Sequence, residues 1–204
     1  MPPAPPTDPA LGHATLQAPW RLAYLETLPA DAPPTGSTPT HTPATSARPR
    51  GTESSSCFLR EYWLDPAGDQ AHHVIVRSPQ GLILLNAYPY ANGHLLVALG
   101  EGRPRLMDYD PAQRAALWAL VDAASALVDA ALQPQGINIG INQGRAAGAG
   151  VPGHLHVHLV PRWGGDVNFM TVVARTRVIP SSLEAMAQRY RRAWAQIAPA
   201  WDLR

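Results

Sequence analysis

The stretch GHLHVHLVPRWGGDVNF, residues 153–169, sets His154, His156 and His158 two positions apart, with Leu155, Val157 and Leu159 beside them. The chain of 204 residues has eight histidines, so three within five positions need a cause. Alternation of polar and apolar residues predicts a half-buried β-strand over residues 154–161, in which side chains two apart point the same way about 6.6 Å apart. The three imidazoles then share one face while the aliphatic residues pack into a core. Such a row can be an ordinary exposed face, a metal site or a reactive centre. Neutral imidazole is a common zinc ligand, yet no further H-x-x-x-H pair or histidine-plus-carboxylate set accompanies the row. An imidazole nitrogen can instead attack phosphorus, forming a phosphoramidate and dividing one hard displacement into two easier ones.

The residues just before the histidines favour this last chemistry. INQGRAAGAGVPG, residues 141–153, is rich in glycine and alanine and carries Asn142, Gln143 and Arg145. Glycines such as Gly148 and Gly150 let a backbone approach an anion closely and aim its N–H groups at phosphate oxygens. Alone, the run reads equally well as a hairpin loop. Leading straight into the histidine strand, it forms a far more specific combination.

Residues 57–204 read as one α+β domain. HHVIVRS (72–78), GLILLNAY (81–88) and GHLLVAL (93–99) are short apolar runs separated by turn residues, which predicts an antiparallel meander. In 110–132, Asp110, Pro111 and Gln113 form a helix start with a capping box, and apolar residues then recur at three and four. GINIGINQ (136–143) and the histidine run add two strands, and 180–197 adds a helix. The expected architecture is an antiparallel sheet of about five strands with two main helices, ordered βββαββα. Residues 1–56 differ in kind: twelve of the 22 prolines fall in the first 50 positions, among Thr, Ser and Ala. That composition predicts a flexible region, apart from APWRLAYLE (18–26), where Trp20, Leu22, Tyr24 and Leu25 offer a short docking segment.

Composition excludes several functions. A formal net charge of +1 gives no case for a nucleic-acid-binding or membrane-binding surface. All 16 basic residues are arginine, so a Schiff-base lysine and a lysine-bearing phosphate loop are both excluded. The single cysteine, Cys57, rules out an internal disulfide and fits a reducing compartment. There is no secretory signal and no apolar run long enough to span a bilayer. The expectation is a cytoplasmic protein that handles a small molecule and needs no cofactor.

The run INQGRAAGAGVPGHLHVHLVPRW (141–163) resembles the histidine triad superfamily, whose motif is His-φ-His-φ-His-φ-φ with φ apolar; His154 to Val160 match it without a gap. LLNAYPYANGHLLVAL (84–99) is similar to that family's asparagine strand and Gly-His-φ-φ-Val strand. PRWGGDVNFM (161–170), followed by TRVIP (176–180), resembles the branch of diadenosine tetraphosphate phosphorylases and related nucleotide hydrolases. The resemblance spans about residues 57–197. It implies a nucleotide substrate and a homodimer. It also implies that His156 is the nucleophile, that His158 meets phosphate or bridging oxygens, and that His154 supports the hydrogen bonding. Asn86 is expected to meet the ribose hydroxyls, and Asn142 the phosphate. Gln143, Arg145, Gly148 and Gly150 are expected in the substrate loop.

Two departures matter. Many members of the branch carry Cys-x-x-Cys, which pairs with histidines to hold structural zinc. Here the matching stretch is CFLR, with Arg60 in the second place. Cys57, His94 and His154 would make only three ligands, so no metal is expected. Between Asn142 and His154 there is no serine or threonine, which removes one phosphate donor and tilts the expectation towards water as acceptor. The expected function is a nucleotide hydrolase or nucleotidyl transferase acting at the α-phosphate of a dinucleoside polyphosphate or adenylate conjugate, through a covalent nucleotidyl-His156. The alternatives are a phosphorolytic enzyme of the same fold, a nucleotide-binding module with little turnover, and a metal-dependent β-barrel enzyme.

Overall fold

The computed structural model describes residues 57–166 and 179–203. The expectations for 1–56, including the 18–26 segment, and for residues 167–178 lie outside the described residues.

The three apolar runs form β1 (Val74–Arg77), β2 (Gly81–Leu85) and β3 (Leu95–Leu99), paired antiparallel in sequence order. Ser78 turns the chain between β1 and β2 by accepting the N–H groups of Gln80 and Gly81 at 3.1 and 3.0 Å. β4 (Gly136–Ile141) and β5 (Val157–Arg162) complete one five-stranded antiparallel sheet in the order β1-β2-β3-β5-β4. The histidine strand is thus central, paired with β3 and β4 on either side. It begins at Val157, so His154 and His156 precede the regular ladder rather than lying within it.

Three helices accompany the sheet. The short α1 (Phe58–Leu64) was not legible from periodicity. The long α2 (Pro111–Leu132) starts with the expected capping box between Asp110 and Gln113, and Leu117, Leu120, Val121, Ala124, Leu127, Val128 and Ala131 are all buried. α3 (Leu183–Ile197) is capped by Ser182, whose hydroxyl accepts from the Ala185 N–H. One expectation needs correcting. α2, at 22 residues and mean hydropathy 1.6, is long and apolar enough to cross a membrane by length and composition. Its apolarity has another cause here, because its buried residues belong to the main core beneath the sheet.

The sheet buries both faces. Ile83, Leu85, Leu95, Val97, Val157 and Leu159 pack with α2 and α3. On the other face Leu82, Leu84, Leu96 and Ala98 pack with Leu59 of α1. His158 stands opposite Leu96 in register, so it continues this second face beyond the patch that α1 covers. A one-residue slip of the histidine strand would exchange Leu155, Val157 and Leu159 for imidazoles in the core. At roughly 1.5–3 kcal/mol per buried aliphatic side chain, that costs about 4.5–9 kcal/mol. The core therefore fixes which way the histidines point.

Candidate active site

Fixed donors and acceptors around the histidines determine their protonation patterns. The backbone N–H of Tyr90 donates to His94 Nδ1 at 3.0 Å. That nitrogen is therefore an acceptor, and the proton of neutral His94 sits on Nε2. His94 Nε2 lies 3.0 Å from His158 Nδ1 and donates to it. His158 must then carry its own proton on Nε2, an atom that is buried and has no hydrogen-bond partner among the described residues. Burial, reinforced by His156, lowers the His158 pKa to about 4, so the ring stays neutral near pH 7. Its unpartnered Nε2–H is a donor held ready for a ligand.

His156 is fixed the opposite way. Its Nδ1 is 2.9 Å from the main-chain oxygen of His154. A carbonyl only accepts, so Nδ1 bears the proton and the lone pair is on Nε2. The His156 and His158 rings lie edge to face with centroids 4.9 Å apart. A ring nitrogen with a lone pair thus sits beside a hydrogen-bond donor. Tyr90 stacks on His158 with centroids 5.5 Å apart and planes at 19°.

The expectation that three imidazoles act together on one face is corrected for His154. Its ring is buried elsewhere, with Nε2 2.8 Å from the Leu99 oxygen and Nδ1 3.0 Å from Cys57 Sγ. It serves His156 through its carbonyl rather than its imidazole. The irregular backbone before β5 produces this difference, since the two-residue periodicity of a strand does not extend to residue 154. His94 also departs from its expected place. Both its ring nitrogens are engaged with Tyr90, Asn86 and His158, not with Cys57. Sequence reasoning weighed His94 only as a metal ligand and missed its contact with His158. The signal was its position next to β3, on the face shared by Leu96 and His158.

Asn86 follows β2 directly. Its Oδ1 accepts from the Tyr88 N–H at 2.9 Å and its amide nitrogen is 3.3 Å from His94 Nδ1, which brings it to the histidine cluster. The turn that carries these groups is held from behind: the Tyr190 hydroxyl of α3 donates to the Gly93 oxygen at 2.6 Å.

Ile141 pairs with Val157, so the loop after β4 leaves the sheet beside the start of β5, next to His156. Asn142 is half-buried there, and Gly144 and Gly148 adopt φ of 84° and 86° around a short turn at Arg145–Ala147. Arg145 is exposed; its carbonyl accepts from the Gly148 N–H at 2.9 Å, while its guanidinium makes no hydrogen bond or ion pair with another described residue. Gln143, expected to touch substrate, uses its side-chain oxygen to accept from the Leu106 N–H at 3.0 Å, which ties the loop down. Gly150 is exposed in the same loop. Gly140 lies directly opposite His158, and the space where its side chain would be is open. A glycine inside a strand often marks close approach of a ligand, a signal that the sequence reading did not use.

Zinc fits this chain poorly. Among the described residues no three His, Cys, Asp or Glu side chains are grouped to hold a metal ion. Cys57 and His154 are together, but Arg60 occupies the next turn of α1 and donates Nη1 to the Gly100 oxygen at 2.7 Å. Two donors beside a guanidinium do not make a closed tetrahedral site.

With the geometry defined, comparison places the chain. The HIT domain family matches residues 67–165. The chain is 33% identical to the AP-4-A phosphorylase of Mycobacterium tuberculosis over 181 residues, covering 89% of this chain and 84% of that protein. It is 34% identical over 101 residues to the asymmetrical bis(5'-nucleosyl)-tetraphosphatase of Schizosaccharomyces pombe, covering 50% of this chain and 53% of that protein. The crystal structure of a Zn-bound histidine triad family protein from Mycobacterium smegmatis aligns with a TM-score of 0.58 at 29% identity, covering 71% of this chain and 97% of that one. The chain belongs to the histidine triad family. Within it, the chain is an enzyme of the nucleotide hydrolase or nucleotidyltransferase type.

Proposed function

We propose that the chain cleaves a dinucleoside polyphosphate at an α-phosphate through a covalent nucleotidyl-His156. The observation that carries this reading is the pair of opposed tautomers, a free lone pair on His156 Nε2 beside a free N–H on His158 Nε2. In the first step the His156 nitrogen forms a bond to the α-phosphorus, and the bridging P–O bond breaks. The ring gains positive character as it is phosphorylated, and the His154 carbonyl, already holding its Nδ1 proton, stabilises that charge. The leaving polyphosphate is a stable anion at neutral pH. Hydrogen bonding from His158 is therefore enough, and no proton has to leave that ring. In this reading Asn86 meets the ribose, while Asn142, Gly148 and Gly150 present the loop to the phosphates.

The second step separates two acceptors. Water needs only access to the nucleotidyl-histidine. Inorganic phosphate needs an anion site, and the loop has no hydroxyl to offer one. Exposed, unengaged Arg145 can fill that role with a bidentate grip. The likeness to the AP-4-A phosphorylase over 89% of the chain also favours phosphate, so the phosphorolytic reading stands beside the hydrolytic one.

A homodimer is part of the reading. It is supported by β4 at the sheet edge, with Ile139 on that strand and Trp118 on α2 both exposed. We assign catalysis to residues 57–204, in a soluble cytoplasmic protein. The test uses diadenosine tetraphosphate labelled at the α-phosphate. His156→Ala should bind the nucleotide but neither turn it over nor become labelled, and substantial turnover by that variant would end the covalent reading. With excess phosphate, ADP from the labelled half marks phosphorolysis and AMP marks hydrolysis.

A further inference from the structure

We infer that Cys57 and Arg60 are positioning residues for the nucleophile, at the place where metal-binding relatives carry Cys-x-x-Cys: Cys57 hydrogen-bonds the imidazole of His154, whose carbonyl holds His156, and Arg60 fixes the neighbouring Gly100 carbonyl. The inference rests on the reading of His156 as nucleophile. Four hydrogen bonds define it. The Leu99 carbonyl takes the His154 Nε2 proton at 2.8 Å, so Nδ1 of that ring accepts from the Cys57 thiol at 3.0 Å. The His154 carbonyl takes the His156 Nδ1 proton at 2.9 Å. Arg60, one turn beyond Cys57, donates to the Gly100 oxygen at 2.7 Å. The start of α1, the end of β3 and the segment before β5 are thereby pinned at one point.

The surroundings leave this clasp little freedom. A Cβ on Gly102 would lie 2.8 Å from His154 Nδ1, and one on Gly100 would lie 2.2 Å from the Trp63 ring. Only glycine lets these two stretches close on α1 and on the imidazole. Burial lowers the His154 pKa and so keeps the ring in the neutral form that accepts from a thiol. A tetrahedral zinc bound by both groups, with Zn–S of about 2.3 Å and Zn–N of about 2.0–2.1 Å, would hold sulfur and nitrogen about 3.6 Å apart. The observed 3.0 Å is a hydrogen-bond contact instead. The Arg60 cation further opposes a dication. What a metal would fix by coordination, this chain fixes by a thiol, a guanidinium and two consecutive carbonyls.

The test compares the full chain with Cys57→Ala, Cys57→Ser, Arg60→Met and Arg60→Lys, each exposed to zinc and then desalted. We expect zinc well below one ion per wild-type chain. Imidazole 15N spectra should show His154 protonated on Nε2 with a hydrogen-bonded Nδ1, a pairing lost in Cys57→Ala and kept in Cys57→Ser. Turnover of diadenosine tetraphosphate should fall about tenfold in kcat for Cys57→Ala and for Arg60→Met, the loss expected from one buried hydrogen bond. KM should stay within about twofold, as for an interaction expressed at the reacting step. Cys57→Ser and Arg60→Lys should restore most of the loss, which a fold defect would not allow. One tightly held zinc per chain, unchanged kcat in the Ala and Met variants, or a loss that Ser and Lys fail to rescue would each overturn the inference. If His156→Ala keeps turnover, the covalent mechanism falls, while the spectra and the zinc content still decide whether the clasp exists.

Discussion

Replacing His94 tests the logic of the site most directly, because the tautomer of His158 depends on it. His94 is fully buried, receives the Tyr90 N–H on one nitrogen and donates to His158 Nδ1 at 3.0 Å with the other. His94→Met keeps an unbranched side chain of similar volume and removes the donor. His158 then has two options. It can keep its proton on Nε2 and leave Nδ1 as a buried acceptor without a partner, at about 1–3 kcal/mol. Or it can move the proton to Nδ1, so that Nε2 presents a lone pair to the phosphate oxygens it was meant to donate to. We expect the second, which removes a hydrogen bond of comparable size from the transition state, so kcat should fall roughly 5- to 150-fold. His94→Gln places an amide nitrogen near the position of the lost Nε2 and should recover most of that rate. The assay is steady-state turnover of diadenosine tetraphosphate, with circular dichroism to confirm folding and imidazole 15N spectra to read His158. A folded His94→Met variant with wild-type kcat and an Nε2-protonated His158 would refute the reasoning.

Acid should weaken the fold in a defined window. Burial holds the pKa of His158 at about 4, below the ordinary 6.5 of a histidine, and that of His154 is also lowered. The unfolded chain therefore binds more protons between those limits, and stability present above about pH 6.5 is lost as pH falls towards 4. Urea midpoints measured across that range should fall, and His158→Gln should flatten the dependence; an unchanged slope would count against it. Gly93→Ala should also destabilise strongly. Gly93 has φ of 79°, and an added Cβ would lie 2.4 Å from Leu132 Cδ1 and 2.8 Å from the Tyr190 hydroxyl. Strain and overpacking together predict a loss of about 2–4 kcal/mol in chemical denaturation, and a loss below half that would show that the turn can relax.

Much of the fold was legible because apolar periodicity is a direct imprint of burial. The five strands and two long helices appear where alternation and three–four spacing put them, and the α2 cap was readable down to its partner residues. The second strand to be paired with β3 was not legible. Nothing local in GINIGINQ (136–143) says that it will lie at the edge, with the histidine strand inserted between it and the meander. The seven-residue α1 escaped notice as well, since about two turns carry too little periodicity and a single buried leucine anchors it.

The site divides along a similar line. His156 and His158 were readable from their spacing, because a strand converts a period of two into a shared face. His154 breaks that rule, and the break is informative. A third imidazole on the same face would crowd His156 with another competitor for its proton. Turning the ring away leaves its carbonyl free to hold His156 Nδ1, and a carbonyl cannot give a proton back. The same asymmetry runs through the cluster: a backbone N–H fixes His94, His94 fixes His158, and backbone oxygens fix His154 and His156. An imidazole alone can carry its proton on either nitrogen; here main-chain groups set His94, His154 and His156, and His94 passes the choice on to His158. Those groups are invisible in a sequence because every residue carries them; only the register of β3 against β5 decides which ones meet a histidine. The residue types of the candidate site can therefore be read along the chain, while the direction in which each proton points is a property of the fold.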